Sequence, residues 1–142
     1  MALQIPEKVL KYETFLNDVL KEELGRTHTK TDELNNELAE YEQLKVFIEL
    51  IKDGKLGTTM KTQMDIGCNF YLQANIEDTS KILLGVGLGY FVEIPLDEAL
   101  LVIDKRTTFL IKQLEIYRKR SADIKAHIKL VLLGLQELQK FK

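Results

Sequence analysis

A chain of 142 residues has room for one ordinary domain, and with 45% apolar and 30% charged residues it is not a disordered tail. Its 20 basic and 22 acidic side chains are interspersed and leave a net charge of −2, which argues against the basic face that direct nucleic-acid binding demands. Cys68 is the only cysteine, so no intrachain disulfide can form and a reducing compartment is expected. Met1 to Glu7 lacks the pattern of a secretory signal, and no apolar run approaches the ~18 residues of a membrane span. A soluble intracellular chain with no membrane partner is the expectation.

The first element is a helix predicted over 6–53. Pro6 suits the first turn, where its missing N–H costs nothing, and Glu7 complements the positive end of the helix dipole. A seam recurs through Val9, Tyr12, Leu16, Val19, Leu20, Leu24, Thr27, Thr31, Leu34, Leu38, Tyr41, Lys45 and Ile48. From Leu20 onward the steps alternate four and three, the heptad pattern, but Leu16 to Leu20 to Leu24 is four and four, a stutter. Gly54 is placed to stop the helix. Carboxylate pairs such as Glu22-Glu23 and Asp32-Glu33 read as its solvated face.

From 58 to 94 the period changes to two. Met64, Ile66, Cys68, Phe70, Leu72, Ala74 and Ile76 alternate with mostly polar residues, and after a turn at Glu77-Asp78-Thr79-Ser80 the alternation resumes at Ile82, Leu84, Val86, Leu88, Tyr90, Val92 and Ile94. Gly67, Gly85, Gly87 and Gly89 mark bends, so about four short strands in two hairpins are expected, with Cys68 a buried thiol on the apolar face. Pro95 ends the last strand.

The second helix is predicted over 96–141. Its seam, Leu96, Leu100, Ile103, Thr107, Leu110, Leu114, Tyr117, Ser121, Ile124, Ile128, Val131, Leu135 and Leu138, steps by four and three without a break and is apolar except at Thr107 and Ser121. Laid antiparallel, the two seams pair Ile48 with Leu100, Leu38 with Leu110, Leu34 with Leu114, Leu24 with Ile124 and Leu20 with Ile128 in one constant register. Beyond the stutter, Leu16 with Val131, Tyr12 with Leu135 and Val9 with Leu138 continue it, displaced by one residue. The weak layers coincide, Thr27 meeting Ser121. Arms of about 43 residues, roughly 64 Å at 1.5 Å per residue, cannot be wrapped into a ball, so an elongated single domain is expected over 1–142. The fold class is α+β, predominantly α: a long antiparallel two-helix coiled coil with two hairpins between the helices.

Two helices that cover each other leave the strands uncovered. At roughly 1.5–3 kcal/mol per large apolar side chain, a wet apolar face and open strand edges together imply partner subunits. The expected assembly face is Met64, Ile66, Phe70, Leu72, Ile82, Leu84, Val86, Tyr90 and Val92. The expected seam core is Leu20, Leu24, Leu34, Leu38 and Ile48 against Leu100, Ile103, Leu110, Leu114, Ile124, Ile128 and Val131.

Helix, paired hairpins and returning helix resemble the α class of prefoldin subunits. Local strings carry the resemblance over nearly the whole chain: Lys8-Val9-Leu10, Tyr12-Glu13-Thr14-Phe15, Asp18-Val19-Leu20, Asp65-Ile66-Gly67-Cys68-Asn69-Phe70, Asp78-Thr79-Ser80, Gly89-Tyr90-Phe91, Glu98-Ala99-Leu100, Ile124-Lys125-Ala126-His127-Ile128, Gly134-Leu135 and Glu137-Leu138-Gln139. The string from Asp65 to Phe70 is the most specific of these. Gly25 to Thr31 and the turn near Gly54 match less well, and Pro95 stands where such subunits more often carry a capping Ser or Thr.

The resemblance implies an ATP-independent holdase chaperone without enzymatic activity or cofactor. It implies a heterohexamer of two α and four β subunits whose strands form a barrel and whose arms hold unfolded or unassembled clients. Prefoldin-like relatives of this kind are tied to assembly of large complexes such as RNA polymerases, to transcription regulators, and to cytoplasm, nucleus and centrosome. Client contacts are expected at the arm tips, where Leu3, Ile5, Leu10, Leu132, Leu133 and Phe141 exceed what the seam needs. A coiled-coil transcriptional co-regulator or scaffold, and an α subunit of standard prefoldin, remain alternative readings.

Other signals carry no chemistry. Gly85-Val86-Gly87-Leu88-Gly89 lacks the third glycine and following helix of a dinucleotide loop. Asp123 and His127 are one turn apart with no third metal ligand, and no catalytic constellation is present.

Overall fold

The structure, a computed structural model, describes residues 4–140. The N-terminal helical run consists of α1 (Ile5–Thr14), a π-helical segment (Phe15–Leu20) and α2 (Lys21–Lys52). Pro6 lies in the first turn, and the Gln4 N–H donates to Glu7 Oε2 at 3.3 Å, closing one of the open amides at the helix start. The run ends where Gly54 adopts a left-handed φ of 71° and its N–H returns to the Ile51 carbonyl. Two hairpins follow: β1 (Met60–Gly67) pairs antiparallel with β2 (Phe70–Ile76), and β3 (Lys81–Gly87) with β4 (Tyr90–Pro95). They form two separate two-stranded sheets. α3 (Leu96–Lys140) starts directly after Pro95, with Asp97 and Glu98 in its first turn. The chain is thus predominantly helical, with four short antiparallel strands between long helices, as the change of period predicts.

The chain divides into two compact units, one of residues 38–109 and one built from the segments up to Glu37 and from Leu110 on. In the unit of residues 38–109, Ile48 of α2 has no solvent exposure and packs with Ile94 of β4 and with Leu96, Ala99 and Ile103 of α3. Ile82 and Leu84 of β3 lie against this cluster, half-buried. The apolar strand residues are therefore not all uncovered: the helices sequester the end of the second hairpin nearest to them. Lys45, at a seam position, donates from its amine to Asp104 Oδ1 at 3.1 Å. By accepting that hydrogen bond, and then by its charge, Asp104 holds the Lys45 ammonium above the usual lysine range. Lys52 pairs likewise with Asp97.

In the other unit, Leu16, Leu20 and Leu135 are buried together, with Val9, Ile128 and Val131 packed against them. The π segment explains how Leu16 and Leu20 both reach that core. The Lys21 N–H bonds to the Leu16 carbonyl five residues back, so the wider turn absorbs the extra residue of the four-and-four step. Tyr12 and Val19 correct the sequence-derived seam: both are exposed, because the added residue turns the seam onto Leu16 and Leu20.

Further along, Leu34, Leu110, Leu114 and Ile124 are buried. The weak layer is buried too. The Thr27 hydroxyl donates to the Glu23 carbonyl of its own helix at 2.8 Å, and Ser121 Oγ lies 3.2 Å from His28 Nε2. Arg120 bridges to Glu23 at 2.9 Å. Among the described residues no buried side-chain polar atom lacks a partner.

Leu114→Asp places an unpaired charge at a side chain only 3% exposed. It is expected to lower stability by about 3 kcal/mol or more. Circular-dichroism thermal melts check this, and a melting temperature within a degree or two of the parent would contradict the burial assignment.

Candidate functional site

The two hairpins are built alike, position for position. Met64-Asp65-Ile66-Gly67-Cys68-Asn69-Phe70-Tyr71-Leu72 and Leu84-Gly85-Val86-Gly87-Leu88-Gly89-Tyr90-Phe91-Val92 fold with the same register, Gly67 opposite Phe70 and Gly87 opposite Tyr90. Each first strand has an irregularity just before the turn, between Asp65 and Gly67 or between Gly85 and Gly87. Each connection is two residues long, both with positive φ: Cys68 (52°) and Asn69 (63°), Leu88 (54°) and Gly89 (78°). That is the backbone of a type I′ turn, whose twist matches the strands it joins. Gly67 and Gly87 precede the turns, each at φ 96°. In the first hairpin Asp65 Oδ1 also accepts the Gly67 N–H at 2.8 Å.

This geometry corrects two sequence expectations. Cys68 is an exposed turn residue and not a buried thiol, because the two-residue connection falls on Cys68 and Asn69. Gly85 is a strand residue and not a bend: Phe91 lies opposite it, and a Cβ added at Gly85 would sit 3.4 Å from the Phe91 ring. The ring thus shields backbone that the glycine leaves bare. The internal repeat was missed in the sequence, although two aligned signals announce it, Gly67 with Gly87 and the aromatic pair Phe70-Tyr71 with Tyr90-Phe91.

Of the residues expected on the assembly face, Met64, Ile66, Phe70, Leu72, Val86, Tyr90 and Val92 are exposed, Phe70 at 67%. Ile82 and Leu84 instead lie half-buried against the chain's own core. No residue of β1 or β2 is buried. The hairpins also differ on the opposite side. The first presents Lys61, Gln63, Asp65, Tyr71, Gln73 and Asn75, whereas the second presents Leu83 and Phe91 together with Lys81 and Glu93. Each two-stranded sheet has two open edges of backbone donors and acceptors.

The linker before the strands is held by Thr79, whose buried hydroxyl donates to the Thr58 carbonyl at 3.2 Å and approaches that of Gly57 at 3.4 Å. Asp78 caps the turn between the hairpins. Hydrogen bonds from Ser80, including its N–H at 2.9 Å, hold the Asp78 carboxyl below the usual carboxylate range. This contribution is present above the ordinary aspartate pKa and lost as pH falls through the depressed one.

The expected seam residues Leu20, Leu34, Ile48, Ile103, Leu110, Leu114 and Ile124 are buried, and Leu24, Leu38, Leu100, Ile128 and Val131 are partly buried. Of the expected tip residues, Ile5, Leu10, Leu132 and Leu133 are exposed; Leu3 and Phe141 lie outside the described residues. Among the described residues no group of three His, Cys, Asp or Glu side chains is placed to hold a metal ion, and no helix is long and apolar enough to cross a membrane.

Two long helices joined by two edge-open hairpins define a class, and the comparisons agree with it. The prefoldin subunit family model matches residues 20–141, and the chain belongs to the prefoldin family. Its fold resembles that of the filamentous PFD from Methanocaldococcus jannaschii solved by cryo-EM, with a TM-score of 0.50 at 22% identity, covering 90% of this chain and 98% of that one. Within the family the chain is UXT-like. It is 44% identical over 136 residues to the Protein UXT homolog of Nematostella vectensis, covering 95% of this chain and 86% of that protein. It is 41% identical over 133 residues to Protein UXT of Homo sapiens, covering 94% and 84%.

Leu88 tests the turn. A leucine in the left-handed region costs roughly 1–2 kcal/mol, which asparagine largely avoids. Leu88→Asn is expected to raise the chemical-unfolding midpoint of the isolated chain, and Leu88→Val, which is β-branched, to lower it. The reverse order would contradict the type I′ geometry.

Proposed function

We propose that this chain is a UXT-type subunit of a heteromeric, ATP-independent co-chaperone complex, acting in cytoplasm and nucleus to hold unfolded or unassembled proteins during assembly of larger complexes. The observation that carries the reading is the exposed row Met64, Ile66, Phe70, Leu72, Val86, Tyr90 and Val92 on strands with open edges. An isolated two-stranded hairpin is marginal in water. Strand addition from neighbours satisfies its edges and buries its apolar face in one step, the former giving directionality and the latter most of the free energy. Similarity to the UXT proteins supports this reading, as does 32% identity over 69 residues to the probable prefoldin subunit 5 of Caenorhabditis elegans.

The role requires neither enzyme chemistry nor a cofactor. Many weak apolar contacts bind a client reversibly, and release needs no nucleotide. Leu10, Leu132 and Leu133, exposed near the helix ends, supply such contacts beyond the buried core of their unit. The partners in this reading are other prefoldin-type α and β subunits in a heterohexamer, unfolded or unassembled clients, and transcription regulators or RNA polymerase subunits.

Two experiments test it. Phe70→Asp in a tagged chain expressed at native level is expected to keep the far-UV helical signal and lose stoichiometric partner subunits in affinity purification; undiminished recovery would refute the assembly face. Removal of residues 1–8 and 137–142 combined with Leu10→Ser, Leu132→Ser and Leu133→Ser is expected to spare assembly and weaken suppression of client aggregation, measured by light scattering of the reconstituted complex. Holdase activity equal to that of the full chain would refute the tip mechanism.

A further inference from the structure

The near-neutral total charge conceals a segregated distribution. On α3, Lys112, Arg118, Lys119, Lys125 and Lys129 are all exposed, and none forms an ion pair among the described residues. Arg120, by contrast, is engaged by Glu23. At about 100° per residue the five free cations share one broad side of the helix, Arg118, Lys125 and Lys129 next to the buried Leu114 and Lys112 and Lys119 further round, away from the buried Ser121 and Ile124. Glu115 lies among these cations, and Asp123, one turn after Lys119, borders them, so five cations face two acids. His28 borders this side, held 3.2 Å from Ser121 Oγ.

Two further features give this side a shape. Ala122 and Ala126 are exposed in its middle, a shallow place between long basic side chains where another backbone can approach closely. Exposed apolar residues stand at its ends, Ile111 on one side and Leu132 with Leu133 on the other, about 31 Å apart along the helix.

We infer that this face of α3 docks an acidic amphipathic helix of a partner protein. Cations repeating at heptad spacing, as Lys112 with Lys119 and Arg118 with Lys125, match carboxylates at the same spacing on a second helix. The partner's apolar line sits over Ala122 and Ala126, and its ends rest on Ile111 and Leu132. A uniformly charged polyanion fits less well: it gains nothing from the alanines or the apolar ends. The inference is independent of the hairpins, and its failure would leave the assembly face untouched.

The test uses the full chain and a fluorescein-labelled synthetic helix of about 24 residues, with leucine on one face and glutamate at heptad spacing beside it. Controls are a scrambled peptide of identical composition and a duplex DNA. Fluorescence anisotropy is expected to show salt-sensitive binding of the designed helix in preference to both controls. Lys112→Gln with Lys119→Gln and Lys125→Gln is expected to weaken it roughly ten-fold or more. Ala122→Phe is expected to weaken it without changing the charge, and all variants are to retain the parent's circular dichroism. Absence of binding, equal binding of the scrambled peptide, tighter binding of DNA, or insensitivity to both the lysine and the alanine substitutions would each overturn the inference.

Discussion

Ile48, Ile94, Leu96, Ala99 and Ile103 bind one end of each long helix to the second hairpin, and what the rest of that unit can present depends on this contact. It joins α2 to the contiguous β4 and α3 across the whole strand region and excludes water from Ile48 altogether. Its consequence is asymmetry between two hairpins of identical construction. β3 and β4 are docked through Ile82, Leu84 and Ile94, whereas β1 and β2 bury none of their residues. The linker clamp from Thr79 to Thr58 steadies the approach to the first hairpin but covers none of its apolar face.

That asymmetry separates two uses of one pattern. In the docked hairpin, alternate apolar residues serve intrachain packing near the helices and stand free toward the turn, where Leu88 is 97% exposed in a left-handed conformation. In the undocked hairpin, the whole apolar face from Met64 to Leu72 is open. Two unfavourable conditions at one leucine, strain and full hydration, are retained together only where something outside the chain offsets them, which agrees with the proposed assembly.

The other unit meets a different constraint, that of keeping a continuous apolar core when the repeat contains one residue too many. The π segment resolves it, and Leu16 and Leu20 both stay buried with Leu135. The polar layer of Thr27 and Ser121 is tolerated because each hydroxyl finds a partner, the Glu23 carbonyl in one case and His28 in the other. Outside the core, the same helix α3 carries Lys112, Arg118, Lys119, Lys125 and Lys129 on an exposed side, so one element supplies both packing and a charged surface.

Periodicity alone determined the order and kind of the elements, because a seam stepping by four and three and an alternation of period two are direct images of helix and strand geometry. The same reading located the stutter at Leu16, Leu20 and Leu24 and the burial of Thr27 and Ser121, since both are properties of spacing along one axis. Tertiary structure decided which apolar strand residues the chain keeps for itself. Ile82 and Ile66 look equivalent in the sequence, and only packing against the cluster around Ile48 half-buries one while the other stays open. It also decided the place of Cys68, because strict alternation cannot show where a two-residue turn interrupts it. The physical reason is common to these cases: a one-dimensional pattern records which side of an element is apolar, whereas burial depends on what three-dimensional packing brings to that side.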